Sequence, residues 1–166
     1  MAGARLSAAK LLIVWHSRTG ASRALAEAAG AGAGDRARLL AAADVKPDDL
    51  LAAQGYLFVC PENLAAMSGA MKEMFDRCYY PLLGQIAGRA YASMIAAGSD
   101  GHGAQAQLDR IATGWRLRRV AEPMIVNLHA QSAQEIMARK DVPDAILAQA
   151  RELGAALASG LEQGIF

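Results

Sequence analysis

Five short segments with the composition of buried strands alternate along the chain with segments of helical periodicity. The strand-like segments are residues 11–15, 38–41, 55–60, 90–97 and 120–128. The first and third are continuous apolar runs, which are typical of strands buried on both faces of a parallel sheet. Strands that alternate with helices predict an α/β fold in which helices cover both faces of that sheet. A length of 166 residues suits a single domain.

Glycine and proline predict where several helices begin and end. A helix over residues 21–29 is expected to stop in the alternating glycines that follow it. A methionine-rich helix is expected to close at Pro81, and the last helix to hold Pro143 in its first turn. Pro123 suggests that the fifth strand lies at an edge or starts irregularly. Residues 129–140 match neither periodicity.

The balance of charges argues against two kinds of partner. The formal net charge is +1, whereas a nucleic-acid-binding domain needs a basic face. The same balance argues against a strongly acidic electron shuttle that docks by charge. Residues 1–10 show no targeting pattern, and the apolar run at 11–15 is too short to span a bilayer. We therefore expect a cytoplasmic protein without membrane insertion.

The two cysteines give no sign of a metal site. Cys60 and Cys78 have neither CxxC spacing nor the spacing of metal ligands. In a chain of this size, they are expected to be buried or half-buried thiols in a reducing cytoplasm. No metal is predicted.

A polar loop, here called the first loop, follows the first strand at residues 17–22. It places Ser17, Thr19 and Ser22 around Gly20, just before a predicted helix. Free N–H groups and the helix dipole favour an anion at a helix start, and hydroxyls can donate to phosphate oxygens. The loop lacks the lysine and the spacing of an ATP-type P-loop. A capped helix start without a ligand is the alternative, because Ser and Thr are ordinary N-caps.

Two further loops are expected at the same sheet edge, since open parallel sheets bind ligands outside the carboxyl ends of their strands. The second loop, residues 60–69, ends in Met67-Ser68-Gly69 before a helix; a proline-terminated turn with a Ser cap is the alternative. The third loop, residues 98–103, has three glycines, which allow close approach to a flat ligand. Within it, His102 could donate a proton or a hydrogen bond, or could be an exposed histidine on a surface turn.

These motifs resemble those of one flavoprotein family. Ser17-x-Thr19-Gly20-x-Ser22 is similar to the phosphate loop of flavodoxins. Residues 61–77 resemble the flavin loop and following helix of flavodoxin-like NAD(P)H-dependent oxidoreductases, of the FMN and quinone reductase type. The resemblance covers nearly the whole chain. It implies a doubly wound flavodoxin-like fold, with a five-stranded parallel sheet in the order 2-1-3-4-5 and FMN at its carboxyl edge.

The resemblance also implies which residues bind FMN. The first loop would hold the phosphate, with Arg18 either reaching it or pointing to solvent, and the other two loops would line the isoalloxazine ring. His102 is the one possible catalytic residue. The implied cofactor-binding residues are Ser17, Arg18, Thr19, Gly20, Ala21, Ser22, Pro61, Glu62, Asn63, Leu64, Met67, Ser68, Gly98, Ser99, Asp100, Gly101 and His102.

The chain departs from its relatives at the ring. Many relatives place an aromatic residue within positions 62–66, where this chain has Glu-Asn-Leu-Ala-Ala. Without that aromatic residue, one face of the isoalloxazine ring is expected to stay open, and the affinity for FMN is expected to be lower.

By this resemblance, the chain is an FMN-dependent oxidoreductase that passes hydride from NAD(P)H through FMN to a quinone or another flat small molecule. A flavodoxin-type electron carrier and a flavodoxin-like binding module without redox activity are the alternatives. A homo-oligomer, either a dimer or a tetramer, is also expected, with Leu64 and Met67 near the partner.

Overall fold

One sheet of seven strands runs through the computed structural model of the protein, which describes residues 9–166. The expectation that no targeting segment is present concerns residues 1–10, of which residues 1–8 lie outside the described residues. The strands are β1 (Leu11–Trp15), β2 (Ala37–Ala41), β3 (Gly55–Asn63), β4 (Ala66–Met67), β5 (Ala90–Ala97), β6 (Arg118–Arg119) and β7 (Met124–Asn127).

Six α-helices connect or flank these strands in the described part of the chain. None of them combines the length and apolar character that a bilayer crossing requires. The helices are α1 (Ala21–Ala33), α2 (Pro47–Ala52), α3 (Gly69–Leu82), α4 (His102–Gly114), α5 (Ala133–Met137) and α6 (Asp144–Glu162).

The strand order confirms the predicted doubly wound α/β fold. The main strands pair in parallel in the order β2-β1-β3-β5. Both β6 and β7 pair in parallel with β5, at its beginning and its end respectively. The predicted fifth strand, residues 120–128, is therefore only in part a strand, β7, and Pro123, which has no N–H to give to the sheet, precedes β7 directly.

The short strand β4 was not expected. It pairs antiparallel with the end of β3 across a two-residue turn, Leu64 and Ala65. Both turn residues have positive φ, at 52° and 61°. Such tight hairpins need a left-handed backbone at both central positions, which favours Asn and Gly. Leu and Ala give no signal of such a turn in the sequence.

The two faces of the sheet are packed differently. Helices α2, α3 and α4 cover one face, whose core holds the buried aromatic side chains. There the ring of Phe75 lies 4.9 Å from that of Phe58 and 5.0 Å from that of Trp115, measured between centroids. Helices α1 and α6 cover the other face with a core rich in alanine. Small side chains let these two helices approach closely.

Glycine shapes the contact between α1 and α6 instead of ending α1. The predicted stop after residue 29 is wrong, because α1 continues through Gly30 and Gly32 to Ala33. A Cβ on Gly32 would lie 2.0 Å from the carbonyl oxygen of Arg151, and one on Gly154 would lie 2.0 Å from that of Ala29. Each helix therefore presents a glycine to the backbone of the other.

Two helices begin or end within about one turn of the positions that their prolines predict. Helix α3 includes Pro81 and ends at Leu82. Pro143 is the N-cap residue of α6 and lies one position before its first turn. The segment 129–140, which showed no clear pattern, contains the short helix α5.

We predict that Gly154→Ala destabilises the protein. The added methyl group would meet the backbone of α1, which cannot move aside as a flexible side chain could, and overpacking of this kind costs about 1–3 kcal/mol. Gly114→Ala is the matched control, because a Cβ on this helical glycine would meet nothing within 4 Å. The free energy of unfolding in urea should fall for the first variant and stay level or rise for the second. Equal effects would contradict the close contact between the helices.

Candidate functional site

The three loops that follow β1, β3 and β5 meet at one edge of the sheet. Between them lies a cavity of about 420 Å³. Nine of the predicted site residues line it: Ser17, Arg18, Thr19, Ala21, Ser22, Pro61, Glu62, Asn63 and Gly98. The other lining residues are Ala96, Ala97, Leu128, Ala130, Ile136, Met137 and Lys140.

Gly20 turns the first loop into α1. Its φ of +101° is left-handed, and it occupies the N-cap position of α1. The Gly20 N–H donates to the Ser17 hydroxyl at 3.1 Å, which closes the loop on itself. The Gly20 backbone borders a neighbouring groove and not the cavity itself. Its role is to direct the start of α1 towards the cavity.

Ser22 carries a buried hydroxyl without a partner. The residue is 1% exposed and lies in the first turn of α1, along the cavity. Among the described residues, its Oγ is the one buried side-chain oxygen or nitrogen that makes no hydrogen bond within the protein. Buried polar groups are nearly always paired, so an orphan at a helix start requires an explanation. A bound anion that accepts from this hydroxyl would provide one.

Glu62 connects the second loop to the third. Its carboxylate accepts from the backbone N–H groups of Gly101, at 2.8 Å, and Ala104, at 3.0 Å. These are donors at the start of α4, which have no partner within the helix. Glu62 borders the cavity, but its oxygens are occupied in fixing α4.

Three predicted residues of the second loop lie away from the cavity lining. Leu64, at the hairpin tip, is fully exposed. Met67 and Ser68 are buried in the interior, at 4% and 0% exposure. The Ser68 hydroxyl is 2.8 Å from Nδ1 of His16, the residue just before the first loop. Met67 and Ser68 therefore support the loops from inside.

The third loop brings only its first residue to the cavity. Gly98 lines it, and a Cβ there would lie 3.1 Å from the carbonyl oxygen of Ala130. Gly101 has a φ of +96° at the N-cap of α4. Ser99, Asp100 and His102 do not line the cavity.

His102 forms a surface pair with Asp100. Their Nδ1 and Oδ1 atoms are 2.6 Å apart, and the His102 side chain is 79% exposed. The hydrogen bond from His102 lowers the pKa of the Asp100 carboxyl. Within the described residues, His102 is not part of the cavity lining, so its catalytic role stays a prediction.

The cavity residues in the segment 129–140 were not among the predicted site residues. Ile136, Met137 and Lys140 all come from it. One local signal was present: Ser132 and Glu135 form a capping box at the start of α5. That pair could have located the helix, but not the side of the molecule on which it lies.

A sequence model of the family described as NADPH-dependent FMN reductase matches residues 42–133, more than half of the chain. The chain belongs to the NADPH-dependent FMN reductase family. The matched segment includes the second and third loops and the helices after them. Family membership supports an FMN-binding flavoprotein of the oxidoreductase class.

Part of this member of the NADPH-dependent FMN reductase family is similar in sequence to a flavodoxin. A flavodoxin of Aquifex aeolicus (strain VF5) is 31% identical over 98 residues, which make up 57% of this chain and 53% of that protein. The chain thus spans about half the length of this curated relative. The sequence similarity is limited to these 98 residues.

Solved structures confirm the flavodoxin-like fold. An archaeal flavodoxin aligns with a TM-score of 0.76 at 18% identity, covering 92% of this chain and 98% of that one. A WrbA-like flavodoxin from Agrobacterium tumefaciens aligns with a TM-score of 0.69 at 20% identity, covering 92% and 97%. At such identities, the likeness concerns the fold alone.

His16 couples the first loop of this NADPH-dependent FMN reductase family member to the second. Burial of the imidazole, followed by the nearby Arg18 charge, lowers the pKa of His16 below its usual value of 6.5. The neutral ring is thus favoured in the folded state. The folded protein loses stability relative to the unfolded chain as the pH falls below the unfolded pKa, towards the lower folded pKa.

We predict that His16→Gln removes part of this acid sensitivity. In the unmodified protein, the free energy of unfolding should fall between about pH 8 and pH 5, because His16 must take up a proton more readily once unfolded. In the variant, the free energy of unfolding, measured by urea titration at the two pH values, should fall less. His102→Gln is the control, since this exposed ring lies outside the loop contact. An unchanged slope in His16→Gln would show that His16 does not carry the effect.

Proposed function

We propose that the protein is an FMN-dependent oxidoreductase that takes hydride from NAD(P)H and passes electrons to a quinone or another flat acceptor. The observation that carries the proposal is the unpartnered Ser22 hydroxyl, buried at the start of α1 along the cavity. Family membership supports FMN as the group that this hydroxyl would bind.

The first loop has the donors that a phosphate requires. The start of α1 presents N–H groups that have no partner within the helix, and its dipole favours negative charge. Ser22 adds a hydroxyl donor without adding charge. Arg18, which lines the same cavity, adds a cation at its border. These groups would hold the phosphate of FMN.

The opposite part of the cavity has the small residues that a flat ring requires. The end of β5 contributes Ala96 and Ala97, followed by Gly98. The second loop contributes Pro61 and Asn63. The Glu62 carboxylate accepts from α4, whereas the Asn63 side chain makes no hydrogen bond within the described residues. It would donate to or accept from the ring edge.

When bound, FMN supplies the two-electron redox chemistry, and the protein supplies its position. The first loop would anchor the phosphate end, while the small residues of β5 would let the ring approach the backbone. No side chain of the cavity is required to act as an acid or a base. This division of labour is consistent with the exposed position of His102.

One observation favours a flavodoxin-type electron carrier as the second candidate. The Aquifex aeolicus relative, 31% identical over its matched part, is a flavodoxin. A carrier would bind FMN in the same cavity but would not be reduced directly by NAD(P)H. The two candidates are therefore separated by the electron donor.

We predict that Ser22→Ala weakens FMN binding without destabilising the protein. A hydrogen bond to a charged group contributes about 1.5–3 kcal/mol, so the dissociation constant should rise by roughly ten- to a hundredfold. Removal of an unpartnered buried hydroxyl should leave the free energy of unfolding level or raise it. FMN titration and urea unfolding measure the two effects.

Ser17→Ala is the comparison for the stability measurement. Its hydroxyl already accepts from the Gly20 N–H, so its loss should lower the free energy of unfolding even without a ligand. If Ser22→Ala binds FMN as the unmodified protein does, the phosphate does not lie at the start of α1.

We predict ping-pong kinetics with NAD(P)H and a benzoquinone. With one open ring face, nicotinamide and quinone would occupy the same place in turn, which gives parallel double-reciprocal lines. Intersecting lines would indicate separate places for the two substrates. If NAD(P)H does not reduce bound FMN while dithionite does, the electron-carrier function is favoured instead.

The homo-oligomer stays a prediction. Leu64 is fully exposed at the hairpin tip, where a partner could cover it, whereas Met67 is buried and is not available to one.

A further inference from the structure

Two large apolar side chains lie exposed beside the cavity. Ile136 is 55% exposed and Met137 is 74% exposed, and both line the cavity that also holds Ser22. They belong to residues 130–140, here called the strap, which lies between β7 and α6. Exposed apolar side chains of this size beside a ligand cavity suggest that a ligand covers them.

The strap is attached at both ends to loops of the candidate site. At one end, the Ala130 N–H donates to the carbonyl oxygen of Gly98 at 2.9 Å. At the other end, the Lys140 N–H donates to the carbonyl oxygen of Thr19 at 2.8 Å. The strap therefore runs from the third loop to the first, along the cavity between them.

Side chains brace the strap from within. The Glu135 carboxylate accepts from the N–H groups of Gln131, at 2.9 Å, and Ser132, at 3.0 Å, and these hydrogen bonds lower the pKa of Glu135. The Lys140 ammonium donates to three carbonyl oxygens at the end of α5, those of Glu135, Ile136 and Ala138. These hydrogen bonds hold the backbone of α5 in place and thereby set the positions of Ile136 and Met137.

We infer that the strap is the cover of the isoalloxazine ring, with Ile136 and Met137 packed against the ring in the place of an aromatic residue. This inference rests on the proposed function, because it takes FMN as the ligand of the cavity. No aromatic side chain lines the cavity within the described residues. Methionine makes favourable contacts with aromatic rings and adapts to irregular gaps. The phosphate lies at one end of FMN and the ring at the other, so one cavity can bind them with different residues.

The test is a double variant, Ile136→Ala with Met137→Ala, compared with a control pair, Tyr80→Ala with Leu83→Ala. The control side chains are also large, apolar and exposed, at 81% and 59%, but lie outside the cavity. Because all four are exposed, neither pair should unfold the protein, and circular dichroism checks this. The dissociation constants of FMN and of riboflavin are measured by flavin fluorescence, and that of inorganic phosphate by competition with FMN.

The strap variant should lose about tenfold or more in affinity for both FMN and riboflavin, while inorganic phosphate binds as before. The control pair should bind all three ligands as the unmodified protein does. Trypsin should also cleave after Arg139 and Lys140 more slowly when FMN is present, and this protection should disappear in the strap variant.

Unchanged affinity for FMN in the strap variant would overturn the strap assignment and leave the proposed function intact. An equal loss for FMN and for inorganic phosphate would also overturn it, because the side chains would then support the first loop and not the ring. If the unmodified protein binds no FMN, the proposed function fails first, and the strap assignment fails with it.

Discussion

The close packing of α1 against α6 fixes the helix end on which the candidate site depends. Gly32 and Gly154 let the backbones of the two helices approach each other where any side chain would collide with a carbonyl group. With the C-terminal half of α1 fixed in this way, its first turn is held at the carboxyl end of β1. The N–H groups, the dipole and the Ser22 hydroxyl therefore point to a set place before any ligand arrives, which reduces the ordering cost of binding.

The loops around the cavity follow different strands, and hydrogen bonds between these loops stabilise them. Glu62 joins the second loop to the start of α4, His16 joins the first to the second, and the Lys140 N–H joins the strap to the first. Several polar side chains that the sequence motifs suggest as ligand contacts instead make these hydrogen bonds between loops. Ser22 differs from them because its hydroxyl has no such task. Within the same motifs, some residues therefore hold the loops together and others are available to a ligand.

The main strands could be predicted because each has its own apolar run, a signal that does not depend on distant residues, whereas their order in the sheet was implied by the family resemblance. The hairpin at Leu64 and Ala65 could not be predicted, since nothing in these two residues favours a left-handed backbone. The turn packs against α4, where a Cβ on Gly103 would lie 2.2 Å from the carbonyl oxygen of Ala65. The role of Gly32 was misjudged for a similar reason, because the helix that it approaches lies more than a hundred residues further along the chain. Loop positions along the cavity were predictable, but the direction of each side chain, as with Met67 and Ser68, depended on the packing beneath.

The distribution of aromatic residues bears on which of the two redox functions the fold serves. Tyr56, Phe58, Phe75, Tyr91 and Trp115 are buried on the face of the sheet covered by α3 and α4. The described cavity lining has none, so a bound ring would be held by aliphatic side chains, by alanine and by backbone. Stacking between two aromatic side chains would cover both ring faces and leave no place for a flat donor or acceptor. A ring held on one side by aliphatic groups would leave the other face to a flat donor or acceptor, as the proposed reductase function requires.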